Sequence, residues 1–391
     1  MRYDDNSTGR DLRIDMIRGL VMLEVLVVHF EFFSAYCFLF WERIGVVSGA
    51  EFFMILSGIV TGMVYKKSIM DAGLKLTATK LLSRAILLWR VNVAVIVSIA
   101  ILNLIPHVNA SEVMTYVERG GNGDIYPLFP AAGTGAVTWL TQALRLQIGP
   151  HQIQILGLYV CLLALSPFSL LVMKKKQTSL LLLASWALYG YNWIHPARPT
   201  GAMFEDAFPL LTWQVVFFSG QAIGYHKNIV VNFFKSKGRL VVVPIAALFS
   251  GFVFWTFNAP NQLFPSYTKL SVIPPDFFMK VYSTLMNGRY LGILRILDDF
   301  CVIVMLYLLL TKFWTPIYKA LGWLLVPIGQ ASLYVFVIHV YLLVIVSNIM
   351  VFGFSHLDGI SFLRNTVLHT AVILSVWTMV RYKFMFRWIP R

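Results

Sequence analysis

Ten apolar runs, most of them about the length needed to cross a bilayer, constrain this chain more than any other feature. They cover residues 14–34, 48–65, 83–105, 153–173, 178–192, 208–225, 240–258, 291–311, 328–352 and 362–380. About 20 apolar residues span the hydrocarbon as a helix, and a helix satisfies its own backbone hydrogen bonds where water is absent. Composition excludes the soluble alternatives. The 391 residues are 58% hydrophobic and only 13% charged, against about 25% charged in a typical soluble globule. The same figures exclude a disordered chain, a coiled coil and a secreted disulfide scaffold. The expected fold is therefore an all-α integral membrane protein of about ten transmembrane helices, organised as a single polytopic domain over residues 1–391. No internal repeat or low-complexity tract breaks it up.

Net charge of +14 would suggest nucleic acid in a soluble protein. Here it is first a topology signal, because cytoplasmic connections of membrane proteins are enriched in Lys and Arg. With the amino terminus inside, 21 of the 32 basic residues fall on inner segments and seven on outer ones, and the bias alternates from segment to segment. Lys174, Lys175 and Lys176, the Lys227–Arg239 stretch, and an inner connection over 312–327 with Lys312 and Lys319 all belong to the inner set. Both termini are expected inside, residues 106–152 and 259–290 form long external loops, and nucleic acid is not an expected partner. Within the first loop, 136–148 reads as an interfacial or re-entrant helix. Arg10 and Arg13 precede the first run, which Asp15, Arg18, Glu24 and His29 interrupt, so it reads as a retained helix and not a signal peptide. Cys37, Cys161 and Cys301 lack metal-ligand spacing and are expected to be packing residues, with no metal site.

An ionisable side chain inside hydrocarbon needs a partner, a water-filled cavity or a function. The first two runs concentrate such groups. Arg18 and His29 are eleven residues apart, which at about 100° per residue falls within about 20° of three full turns. They share one helix face, separated by about 16 Å along the axis. Asp15 lies one turn before Arg18, while Glu24 points well away from His29. The second run opens Gly49-Ala50-Glu51-Phe52-Phe53 and continues to Leu56-Ser57-Gly58. The short connection between the two runs brings Glu51 toward the level of His29, where a carboxylate holding one imidazole nitrogen would leave the other to accept a proton from a hydroxyl. Structural alternatives stand beside each reading: Arg18 as a partner of Asp15, His29 as an interhelical hydrogen-bonder.

These residues resemble the membrane acyltransferase-3 superfamily, most closely its OpgC branch, which succinylates periplasmic glucans in Gram-negative bacteria. The resemblance runs from Arg18 and His29 through Gly49–Gly58 to Arg84-Ala85 with Leu88-Trp89, where the family usually has Leu-Tyr. It continues in His151 with Leu156 and Tyr159, in Trp213-Gln214, in Leu291-Gly292-Ile293-Leu294-Arg295 and in Gly329-Gln330-Ala331-Ser332-Leu333. The resemblance implies that His29 is catalytic and that Arg18 and Arg84 meet the acyl-CoA donor; the residues themselves add Glu51 as a catalytic partner of His29 and the Ser57 hydroxyl as a donor contact. Coenzyme A is a cytoplasmic polyanion, and guanidinium groups near the inner face suit its phosphates. No cofactor is expected to be bound permanently; succinyl-CoA or acetyl-CoA is the co-substrate. Expected partners are acyl-CoA, a periplasmic or surface glycan and membrane lipid, in the bacterial inner membrane.

Four further residues are candidates for the tunnel or the acceptor, each with a structural reading. His339 lies one heptad after Ser332, lining an acyl tunnel or packed in the core. Arg295 precedes Asp298 and Asp299 at helical spacing and forms either part of the site or a neutralised pair. The OpgC branch often has His or Asn after this element, so the two aspartates depart from its pattern. His151 and Trp193 either contact carbohydrate or belong to the interfacial aromatic set. The competing function class is a proton-coupled transporter of a small polar or sugar substrate, using His29, Glu51 and Arg295. The lack of visible inverted repeats disfavours it.

Overall fold

The structure is a computed structural model that describes residues 10–117, 124–349 and 359–390. These are predominantly helical, with one short antiparallel ribbon of β1 (Thr115–Val117) and β2 (Ile125–Pro127). The main helices are α1 (Leu12–Phe30), α2 (Gly49–Asp71), α3 (Gly73–Leu102), α4 (Ala136–Leu144), α5 (Gln154–Lys174), α6 (Thr178–Ile194), α7 (Leu210–Tyr225), α8 (Lys227–Phe257), α9 (Pro275–Leu285), α10 (Ile293–Lys312), α11 (Trp314–Gln330), α12 (Ser332–Ser347) and α13 (Gly359–Arg381).

Among the described residues, each of the ten apolar runs overlaps at least one helix. Among the described residues, five helices are long and apolar enough to cross a membrane: Gly49–Asp71, Gly73–Leu102, His151–Lys174, Leu240–Phe257 and Ile360–Arg381. α11 and α12 together make a sixth candidate, bent by 88° where they meet. Two expectations change. The run 328–352 is not one straight helix, because the chain breaks at Ala331. The inner connection 312–327 is itself mostly helix, since α11 occupies Trp314–Gln330. Polar residues also extend the helices beyond the apolar runs. α3 starts at Gly73, ten residues before the run it contains, and α8 starts at Lys227. A tight turn at Gly73, with φ of 78°, therefore replaces a longer basic loop. The expected helix within the first long loop is α4, and the second loop carries α9; residues 118–123 of the first loop lie outside the described residues.

The described chain divides into two compact units. The first comprises residues 10–56, 228–336 and 359–390, the second 57–117, 124–227 and 337–349. In the first, α1 packs along α11. Gly19 meets the backbone of Leu325 and Gly329 meets the backbone of Asp15 so closely that a β-carbon at either would overlap a carbonyl oxygen. Small residues at a membrane helix crossing permit this approach. Asp11 caps α1 by accepting the Arg13 amide hydrogen bond (3.2 Å). Arg13 then ties α1 to α10, donating to Thr311 Oγ1 (2.9 Å) and lying 4.3 Å over the Tyr307 ring. In the second unit α3 packs on α5 and α6 on α7. Its buried polar groups are mostly neutral pairs: Ser169 Oγ donates to Gln221 Oε1 (2.6 Å), Ser185 Oγ to Gln214 Oε1 (2.5 Å) and Asn192 Nδ2 to Thr212 Oγ1 (2.7 Å).

Candidate active site

α1 is unbroken from Leu12 to Phe30, so Arg18 and His29 keep the shared face that their spacing predicts. His29 occupies the last turn and is half-buried. The helix stops one residue later, where Glu31 turns left-handed with φ of 51°. Arg18 donates to Ser332 Oγ, the first residue of α12. One turn earlier, Asp15 accepts from Gln330 Nε2 (3.2 Å), the last residue of α11, and from Arg10 (2.6 and 2.8 Å). Asp15 is thus the partner of Arg10 and Gln330, not of Arg18. Adjacent turns of α1 hold the two sides of the helix break, and Arg18 is directed to the buried first residue of the helix that follows the break.

Glu51 does not hold His29. Its Oε1 accepts from Arg295 Nε (2.7 Å), and its Oε2 accepts from the Ser48 amide (2.8 Å) and the Ser48 hydroxyl. The Arg295 guanidinium, only 3% exposed, also pairs with Glu42 Oε1 (2.8 Å), whose Oε2 accepts from Tyr282 OH (2.8 Å). The i+3 and i+4 spacing suggested Asp298 or Asp299 as the partner of Arg295, but its direct bonds go to Glu51, Glu42 and the Met286 carbonyl. Asp298 Oδ2 instead accepts from the Val46 amide (2.5 Å), while Asp298 Oδ1 and both oxygens of Asp299 find no hydrogen-bond partner among the described residues. Tyr282 lies on α9, within a loop expected to be external. Burial, and secondarily the Glu42 charge, raises its phenol pKa above the ordinary value, which keeps the donor to Glu42 protonated.

Two cavities border this cluster, and both are lined by Glu42 and Arg43. The larger, about 200 Å³, lies among the 41–46, 256–264 and 278–282 segments. The smaller, about 70 Å³, is mainly apolar and includes Leu20, Val21 and Glu24, which sit on α1 between Arg18 and His29. Phe33, four residues after His29, brings its ring to Trp41 (6.0 Å) and Phe264 (5.2 Å) in the wall of the larger cavity.

The other predicted residues belong to the second unit. Ser57 is buried and its carbonyl accepts from Thr61 Oγ1 (2.7 Å). Arg84 is half-buried on α3, and His339 is fully buried on α12. His151 opens a short turn leading into α5, with its ring edge-on to Tyr116 at 5.5 Å. Trp193, 40% exposed, ends α6 beside the Tyr189 ring at 6.3 Å. The structure thus gathers Arg18, His29, Glu51 and Arg295 in one unit and places Ser57, Arg84, His151, Trp193 and His339 in the other.

Comparison with known families adds a match that runs almost end to end: the family described as OpgC protein covers residues 10–388. The chain belongs to the OpgC family. Membership points to a glucan-modifying acyltransferase type of activity, carried by a chain whose apolar helices fit a multi-pass membrane protein. No curated protein and no solved structure matches the chain significantly. Within this OpgC chain, sequence reasoning missed three features of the site. Glu42 and Arg43 stand in a loop, where charge is unremarkable, and the signal that could have found them is the aromatic Trp41 immediately before them. His369 sits mid-helix on α13 and carries no local motif. It is buried against Phe30 and Phe32, with its Nδ1 2.8 Å from Ser34 Oγ.

Proposed function

We propose that this chain is an inner-membrane O-acyltransferase that moves succinyl, with acetyl the second candidate, from cytoplasmic acyl-CoA to a hydroxyl of a periplasmic or envelope glucan. The observation that carries the reading is α1 itself. One rigid helix bears a guanidinium near its amino-terminal end and a half-buried imidazole on the same face about three turns later. The OpgC match supports the same reading.

In this mechanism Arg18 takes a phosphate of the donor in place of the Ser332 hydroxyl, and Arg84 supplies a second guanidinium and Ser57 a hydroxyl to the donor. The His29 imidazole accepts the proton of the sugar hydroxyl as its oxygen attacks the thioester carbonyl. The carbon–sulfur bond then breaks, the acyl ester forms on the sugar, and the imidazolium returns the proton to the coenzyme A thiolate. Glu51 acts at a distance from this transfer, holding Arg295 and through it Glu42. His339 contributes to the packed wall of α12, and His151 with Trp193 to sugar contacts on the outer face.

Purified protein, incubated with succinyl-CoA or acetyl-CoA and a neutral glucan, should consume thioester and yield glucan ester. His29→Ala should lower that rate by about 10²- to 10⁴-fold, the contribution of a positioned base, while inserting normally. Near wild-type turnover in that variant would refute the role of His29. Sugar uptake into liposomes without thioester loss would replace the reading with a transporter.

A further inference from the structure

The 200 Å³ cavity has a lining unlike the apolar helix contacts elsewhere in its unit. Trp41, Phe264, Phe278 and Tyr282 supply aromatic surface, and Glu42, Arg43 and Asn261 supply polar atoms. Arg43 is the decisive member. It is 3% exposed and lies between the Phe257 and Phe264 rings, 4.2 and 4.5 Å from their centroids. Its Nη2 donates to the Thr268 carbonyl (2.6 Å), but its Nε and Nη1 have no hydrogen-bond partner among the described residues. A buried guanidinium with unused donors is costly unless something in the adjacent space accepts from it. The adjacent residue offers acceptor capacity: Glu42 is held by Arg295 and Tyr282 yet stays partly accessible, with 29% of its side chain exposed.

Sugars fit this combination. A pyranose ring presents apolar C–H faces that pack on aromatic rings, and hydroxyls that both accept from a guanidinium and donate to a carboxylate. An anion fits less well, because the cation of Arg43 is matched by the carboxylate of Glu42 along the same wall.

We infer that this cavity binds one neutral sugar ring of the acceptor, with Arg43 donating to ring hydroxyl oxygens, Glu42 accepting from a hydroxyl and Trp41 and Phe264 forming the apolar face. The inference deepens the glucan-acceptor reading and rests on it. It also explains how the acceptor comes to the carboxyl end of α1: Phe33, close after His29 in the chain, packs directly against two walls of the cavity. Arg43, Glu42 and the aromatic walls act as binding groups, and His29 remains the group that meets the reacting hydroxyl.

The test is glucan binding to the detergent-solubilised full chain, read by calorimetry with a neutral β-glucan oligosaccharide as the probe and sodium succinate as an anionic competitor. Arg43→Lys should weaken binding by roughly ten- to a hundredfold, the loss of a charge-assisted contact. Met279→Trp guards against misfolding of that buried variant, because Met279 lines the cavity from a position 49% exposed and a larger side chain there blocks the space without removing any bond. It should lower affinity at least tenfold, while Tyr267→Ala, at a position 87% exposed and outside the cavity lining, should leave it unchanged. Undiminished glucan binding in Met279→Trp, or displacement of the glucan by succinate, overturns the inference. Thioester turnover by the wild-type chain is measured in parallel to separate the two claims. Glucan binding lost in both cavity variants without any acyl-CoA turnover keeps the sugar site and removes the transferase reading. Turnover with cavity-independent glucan binding removes the sugar site alone.

Discussion

In the first unit one guanidinium, Arg295, lies within electrostatic reach of Glu24, Glu42, Glu51, Asp298 and Asp299, and four of those five carboxylates are more than nine-tenths buried. In helices α5 to α7 of the second unit, buried polarity takes another form: Ser169 with Gln221, Ser185 with Gln214 and Asn192 with Thr212, all neutral and paired one to one. Neutral hydroxyl and amide pairs join membrane helices at small individual worth, about 0.6 kcal/mol on average. Buried charge is different. Its desolvation penalty offsets much of the ion-pair attraction, so a charge cluster adds little stability for its size, and intramembrane ionisable residues point to function by default. Helices α5 to α7 therefore use polarity to fasten one another. The first unit organises it beside two cavities that share Glu42 and Arg43.

The largest effect expected from breaking this contrast is at Arg295. Arg295→Met strands Glu51 and Glu42 without their cation and should lower unfolding stability in detergent by about 3–5 kcal/mol. The triple variant that also carries Glu42→Gln and Glu51→Gln should recover most of the loss, which denaturant unfolding of the two proteins would reveal. Equal stability of the single variant and the wild type would mean that the cluster is solvated and not buried.

Arg18→Gln comes next. It removes a charge-assisted contact of about 1.5–3 kcal/mol, so the apparent donor constant should rise roughly ten- to a hundredfold and the thermal stabilisation given by coenzyme A should shrink. Arg18→Lys should not restore it, because an ammonium cannot reproduce a bidentate fork. An unaltered coenzyme A response would reduce Arg18 to a clasp for Ser332.

Smaller effects sharpen the second-unit side of the comparison. Gly58 abuts the Phe217 carbonyl, and Gly224 abuts that of Ile59. Gly58→Ala should cost about 1–3 kcal/mol through overpacking, measured by thermal unfolding, without a change in the donor constant of the folded fraction. Ser169→Ala should cost only about 0.6 kcal/mol. A loss of several kcal/mol there would show that the neutral pairs carry more than fastening.

Much of the helix layout was legible in the sequence because the bilayer forces a simple code: apolar length marks a span, and charge inside it marks an exception. That code placed α1 and the common face of Arg18 and His29, which depends only on helical periodicity. It missed the break at Ala331, although Pro327 and Gly329 precede it, because the partners of Gln330 and Ser332 on either side are the distant Asp15 and Arg18. It also misassigned the partners of Glu51 and Arg295. Spacing offered His29 to the one and Asp298 or Asp299 to the other, but the bond joins residues 244 positions apart, and no local pattern encodes such a pairing. The Arg43 cavity was hidden for the same reason, being assembled from three separated loop and helix-end segments.

The most direct test of the account is mass spectrometry of envelope glucans from cells lacking this gene, complemented with either the wild-type chain or His29→Ala. The wild-type chain should restore an acyl ester on neutral glucan, with a mass increment that names the acyl group, and His29→Ala should leave the glucan unmodified despite normal membrane insertion. Glucans of identical mass with and without the gene, or full modification by His29→Ala, would contradict it.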